Sequence, residues 1–400
     1  MHSDFDLRGL DPDHLDDDLR ARNAHAVSDV AFLEAVARVV ARPRRDAPDS
    51  FVLHAPLELL ARAALLPRVS PERRHDARRQ MASIAARFDA FGPAMDVEPV
   101  DMGVDDAVRS TKSALADGDQ DRAAAAATTL GRRLDAGSLT RAVADAVAPS
   151  LAAAAHAPIF LHHLPRAAPR SPLAGAMFGT LARELARNPG WRLRWIDQVP
   201  RSGSGRGLGA ALASTPVLGP PESTFIFPLM SQADDSGIAA DVIGPALGAD
   251  TDLAEATCAI LRVATASMLL DDQAHAAYGW SHCLTIPQGL LSAAAVAADP
   301  LRLVAIAATH VVGFRAGEGS APLAELAGDG LDETGLLGGL EPPTASALQE
   351  ATDHAAAHED AHLVKYLVSC LDAARTDPDG AAQHLRAAVH LSDLWRSGAV

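Results

Sequence analysis

Apolar residues recur along most of this chain at the three- and four-residue spacing of an amphipathic helix. In "SDVAFLEAVARVVARP" (28–43), Val30, Phe32, Leu33, Val36, Val39 and Val40 fall on one side behind Ser28, which suits a helix cap. "SPERRHDARRQMASIAARF" (70–88) opens on Ser70-Pro71 and runs amphipathically to Phe88. The same period covers 104–117, 121–134, 138–154, 172–187, 251–270, 299–316, 344–357, 358–375 and 380–395. Pro/Gly clusters break it at "GSGRGLG" (203–209), "STPVLGPPESTFIFPLM" (214–230) and 317–343. "STFIFPLM" (223–230) is the one strand-like piece, too short and isolated to define a sheet, and no fixed-period repeat is apparent. The pattern predicts an all-α fold: a large multi-helix domain over 28–400 behind an acidic segment, 1–27. The stretches 198–250 and 317–343 read as irregular excursions that cover a pocket.

Composition sharpens this picture. Of the 400 residues 48% are hydrophobic but only 4% aromatic, so the interior must be built mainly from Ala, Leu and Val, which favours close helix packing. A net charge of −16 argues against nucleic acid or an anionic membrane as a partner. Cys258, Cys283 and Cys370 are too few and scattered for a disulfide framework or a thiolate metal site. The acidic N-terminus lacks the apolar run of a secretion signal, so a soluble cytoplasmic protein is the expectation. The stretch 274–298 has no Asp, Glu, Lys or Arg, yet its His275, His282, Pro287 and Gln288 and its acidic flanks point away from a membrane span. It predicts a fully buried helix, broken or bent near Pro287, with His282 inside.

The chemistry-bearing candidates are histidines. "HEDAHLVKYLVSCLDAAR" (358–375) contains His358-Glu359-x-x-His362, the letter pattern of a zinc-hydrolase helix. No Glu follows Glu359 to serve as a third ligand, and Lys365 and Val368 stand where another zinc type needs Gly and His. On this helix Leu363, Val364, Leu367, Val368 and Leu371 form an apolar stripe, opposed by His358, His362, Lys365, Ser369 and Asp372. On pattern alone the second stripe reads as a solvated face; its alternative is a wall of an internal polar cavity. Gly205-x-Gly207-x-x-Ala210 lacks the surrounding strand of a dinucleotide site and reads as a loop. Cys283 beside His282 makes a poor dyad, because successive helical residues point in different directions.

Four segments together carry a resemblance: "FVLHAPLELLARAALL" (51–66), "AAHAPIFLHHLPR" (154–166), "YGWSHCLTIPQ" (278–288) and "HEDAHLVKYLVSCLDAAR". In this order they resemble the questin oxidase-like family, α-helical oxygenases of aromatic polyketide metabolism. Its N-terminal helix histidine is matched by His54, its His-x-x-Ile by His156, its His-x-x-Thr by His282, and its Asp-x-His-x-x-Lys by Asp360, His362 and Lys365. Here "FLHHLPR" replaces the usual small polar context after the second histidine. The resemblance implies one non-haem Fe(2+) held by His54, His156, His282 and His362, with a carbamylated Lys365 as oxygen ligand. It implies dioxygen and a flat anthraquinone-like aromatic as co-substrates, NADPH as the candidate reductant, and leaves a homodimer open. His162, His163, His310 and His358 rank lower, as supporting residues, and Phe160, Trp280, Phe225 and Phe227 are candidates for a dry aromatic pocket. Two other readings stand beside it: a zinc hydrolase on His358, Glu359 and His362, and a helical binding protein with structural histidines.

Overall fold

The computed structural model describes residues 5–45, 51–167, 174–198, 207–223 and 225–400. Among them the fold is all-α. Helices are joined by short 3-10 turns, and extended pairing is limited to three isolated bridges, Arg44 with Ala94, Ser150 with Arg192 and Leu331 with Leu337. Contacts gather the chain into two compact units of interleaved segments. The first is Met1–Ala146, Phe160–Gly190 and Thr352–Val364; the second is Val147–Ile159, Trp191–Ala351 and Lys365–Val400.

In the first unit the helix Asp29–Val40 starts where its cap predicts, with Ser28 Oγ accepting from the Ala31 amide at 3.3 Å. Its apolar stripe is buried except for Val30, which is 43% exposed. This helix packs on Arg74–Asp89, which also carries the helix Phe51–Leu65. Helix Gln120–Arg133 buries Ala123, Ala124, Ala126 and Ala127. Small side chains there let its neighbours Val104–Asp117 and Phe178–Leu185 approach closely. The acidic N-terminal stretch is not merely solvated: Leu7, Leu10, Leu15 and Leu19 are buried, and the short helix Leu15–Ala21 lies on Arg74–Asp89.

The second unit is built around Pro300–Glu318, buried on every side from Leu303 to Glu318, as a helix apolar all round must be. Against it pack Leu253–Leu270, Ser281–Ala294 and Ile226–Asp235, while Ala381–Ser397 lies on Leu253–Leu270. Leu253–Leu270 is apolar and long enough to cross a bilayer by composition. It nonetheless buries Arg262, whose guanidinium grips both oxygens of Asp377 at 2.7 and 2.6 Å.

The element pattern differs from expectation at several places. "STFIFPLM" is not strand-like: its second half begins the helix Ile226–Asp235, and Pro228 sits in the first turn, where its missing N–H costs no intrahelical bond. The segment read over 138–154 is helical only as Ala136–Val147. The two expected excursions contain helices of their own, Leu208–Ala213, Ile226–Asp235, Ile238–Ile243 and Leu323–Ala327. Residues 203–206 of the glycine-rich loop lie outside the described residues. The charge-free stretch is irregular before His282 and not at Pro287: a 3-10 turn, Gln273–His275, and a π-turn, Ala276–Trp280, lead into Ser281–Ala294, which runs through Pro287. It is not fully buried either, because Tyr278 is 59% exposed.

Candidate metal centre

His54 stands in the first turns of the helix Phe51–Leu65, and Glu58 and Arg62 follow it at successive four-residue steps on the same face. Arg62 is fully buried. It pairs with Glu58 at 2.6 Å and donates to the carbonyls of Ala355, Ala356 and His358. Those are orphan carbonyls at the end of the helix Ala345–Ala357, where a cation is favoured. The helix that carries His54 is thereby tied to the segment that leads to His362.

That segment decides the zinc-hydrolase pattern. Ala345–Ala357 ends before His358, and a new helix, Ala361–Thr376, begins after Asp360. His358 and His362 are therefore not one turn apart on one helix, and the HExxH geometry is not formed. The turn uses its own side chains. His358 Nδ1 accepts from the Asp360 amide at 3.0 Å, and the Asp360 carboxylate caps the new helix by accepting from the His362 amide at 2.6 Å. The same Asp360 oxygen holds His362 Nδ1 at 2.8 Å. One carboxylate thus starts the helix and fixes the ring's tautomer, with the proton on Nδ1 and the lone pair on Nε2.

His156 is placed by unusual backbone. Ala153, Ala154 and Ala155 all have left-handed φ values, 52°, 51° and 54°, in the turn before it. This turn brings the Ala154 carbonyl within 2.7 Å of His156 Nδ1. His282 is held the same way, with Nδ1 2.6 Å from the Tyr278 carbonyl. A close crossing sets these two histidines opposite each other. A Cβ on Gly289 would lie 2.4 Å from the Pro158 carbonyl carbon and oxygen, so only glycine lets the His282 helix come this near. The outcome is a pair of imidazoles with ring centroids 5.0 Å apart and Nε2 atoms 3.3 Å apart.

That contact has a chemical consequence. A carbonyl oxygen can only accept, so both Nδ1 atoms carry protons and two neutral rings would present lone pairs to each other. Neither can donate to the other. The contact is stable when a cation, a proton or a metal ion, is shared between the two Nε2 atoms.

Of the matched residues, His54 and His362 lie together in the first unit, and His156 and His282 lie together in the second. The rings of His54 and His362 meet edge to face with centroids 5.2 Å apart. Lys365, one turn beyond His362, is 1% exposed. The polar stripe read as a solvated face is therefore an interior one: His362, Lys365, Ser369 and Asp372 are all buried. The hydrophobic positions alone could not show this, because both faces of Ala361–Thr376 are covered.

The other candidates fall elsewhere. His162 and His163 are buried and meet edge to face at 4.9 Å on the helix Ala157–Ala167. His310 is fully buried, and burial pushes its pKa down to about 3. Cys283 is no nucleophile, since burial holds its thiol up at about 12. The aromatic pocket needs correction. Phe225 is 56% exposed, Phe227 stacks on Trp191 at 4.2 Å, and Trp280 is buried with its indole N–H on the Asp272 carbonyl. The ring that covers His282 is Phe314, nearly parallel at 6.5 Å. Sequence reading missed Phe314, Gly289 and the left-handed alanines. Phe314 sits in an ordinary apolar period, while the glycine and the alanines matter only through what they meet in three dimensions. No protein-family model, curated protein or solved structure matches the chain.

Proposed function

We propose that this chain is a non-haem iron(II)-dependent oxygenase acting on a flat aromatic of the anthraquinone or anthraquinol type, by oxidative ring modification or cleavage. The observation that carries the metal half of this reading is the 3.3 Å approach of His156 Nε2 to His282 Nε2 with both Nδ1 atoms already committed to carbonyls. The edge-to-face pair of His54 and His362 supports it, as does Asp360, whose carboxylate holds Nδ1 of His362 and leaves Nε2 as its ligand atom. The residues fit a borderline divalent metal. The donors are imidazoles, and burial keeps Cys283 in its thiol form. His54, His156, His282 and His362 would hold the ion, with Lys365 as the oxygen donor once carbamylated. When bound, iron(II) supplies the capacity to bind and reduce dioxygen.

The remaining work belongs to the chain. Tyr278, Ala154 and Asp360 keep a proton on each Nδ1, so that Nε2 is the nitrogen each ring offers as a ligand. His282 is itself buried, with the ring of Phe314 nearly parallel to it at 6.5 Å. The aromatic substrate rests on the resemblance of the four histidine-bearing segments, and NADPH is the candidate reductant. The zinc-hydrolase reading has lost its scaffold, because its two histidines flank a helix break.

Metal analysis of anaerobically purified protein, followed by incubation with a panel of anthraquinols and anthraquinones under labelled dioxygen, tests the proposal. About one iron per chain and iron-dependent incorporation of label into a ring-modified product are expected. Bound zinc with amidase activity, or a metal-free protein that iron does not stabilise, would replace it with the hydrolase or the binding-protein reading.

A further inference from the structure

The five residues before His282's helix, Ala276–Trp280, form a π-turn, a rare element that carries one residue more than a regular turn and redirects the helix after it. The turn is held from inside. Ser281 Oγ donates to the carbonyls of Ala277 and Tyr278 at 2.7 and 3.1 Å, and His282 Nδ1 donates to Tyr278. On its other side, at Gly279, there is no room for a side chain. An added Cβ would lie 1.7 Å from Glu318 Oε2 and 2.8 Å from its carboxyl carbon.

Glu318 ends the helix Pro300–Glu318 and is 8% exposed. Its Oε2 is buried without a hydrogen-bond partner, and the His275 ring nitrogen is 3.8 Å away, too far for a bond. Its neighbours are anchored without it: Arg315 and Ser320 both bind Asp271. Hydrogen bonding of this oxygen therefore gives no reason for a carboxyl at this place. What the side chain does is fill the notch that Gly279 leaves in the π-turn.

We propose that Glu318 is a positioning residue for His282. By occupying the notch it keeps the extra residue in the turn, and so keeps the Tyr278 carbonyl where it holds His282 Nδ1. Without that prop the turn relaxes toward regular α-geometry. One residue of register corresponds to about 100° of rotation about the helix axis, enough to aim the imidazole elsewhere. This inference rests on His282 serving the proposed metal site.

The test is anaerobic titration with cobalt(II), which reports both affinity and ligand geometry through its visible spectrum. Glu318→Ala is expected to weaken binding about tenfold and to alter the spectrum, while Glu318→Gln, of the same shape, keeps both. Gly279→Ala is expected to weaken binding as well, and Gly279→Ala/Glu318→Ala to bind more tightly than Gly279→Ala alone, since the added methyl then enters the emptied notch. Should Glu318→Ala not fold, Glu318→Asp keeps the carboxyl but withdraws it by one methylene and is expected to weaken binding too. Wild-type affinity and spectrum in Glu318→Ala, or in Glu318→Asp in that event, would overturn the role of Glu318. A wild-type protein that binds no cobalt would instead remove the metal reading on which it stands.

Discussion

At the scale of single residues, the candidate centre is shaped by backbone that its sequence does not advertise. Three consecutive alanines in the left-handed region precede His156. An L-residue there costs about 1–2 kcal/mol, and glycine would avoid this at an entropic cost of about 0.5–1 kcal/mol. Ala154→Gly is therefore expected to raise stability by about 0.5–1 kcal/mol, read as a higher urea midpoint with an unchanged slope. A lower midpoint would show that Ala154 is not left-handed. His54, His156, His282, His362 and Lys365 were drawn from the four matched segments and not from the hydrophobic pattern, which by itself put His362 and Lys365 on a solvated face. Which nitrogen each ring presents was not legible, because that depends on carbonyls supplied by Ala154 and Tyr278.

At the scale of elements, the helical period located most helices to within a few residues, since amphipathic stripes follow from burial itself. It failed where local chemistry overrode the period. His358 to Asp360 read as part of one helix, yet Asp360 caps a new one and Arg62 closes the old one from 293 to 296 residues away in sequence. The crossing at Gly289 is a second case, because a glycine in "IPQGLL" reads as a weak helix position until Pro158 is seen against it. Gly289→Ala forces two backbones apart. It is expected to cost about 1–3 kcal/mol in urea unfolding, as overpacking does, and to weaken cobalt(II) binding about tenfold by separating His156 from His282. A variant that loses stability but keeps wild-type affinity would detach this crossing from the metal site.

At the scale of the whole molecule, an alanine-rich composition was enough to imply close-packed helices. It could not say which ionisable groups such packing strands in the interior. Two of the buried groups among the described residues have opposite effects on stability. Burial pushes Glu318 from its ordinary 4.5 up to about 7, so between these values the folded chain holds more protons than the unfolded one. Its contribution is full below about pH 4.5 and is lost as pH rises to 7. Burial pushes His310 from 6.5 down to about 3, so there the unfolded chain holds more protons, and stability is lost as pH falls from 6.5. In the shared window, about pH 5 to 6.5, the two slopes oppose each other, each at most about 1.4 kcal/mol per pH unit. Glu318→Gln should make the slope of unfolding free energy against pH more positive there, and His310→Gln more negative. Urea unfolding at half-unit steps from pH 5 to 7 measures both, and comparing slopes cancels the other titrating groups. Parallel slopes for wild type and both variants would mean that these groups are solvated in the folded protein, and that its interior is wetter than the helix packing implies.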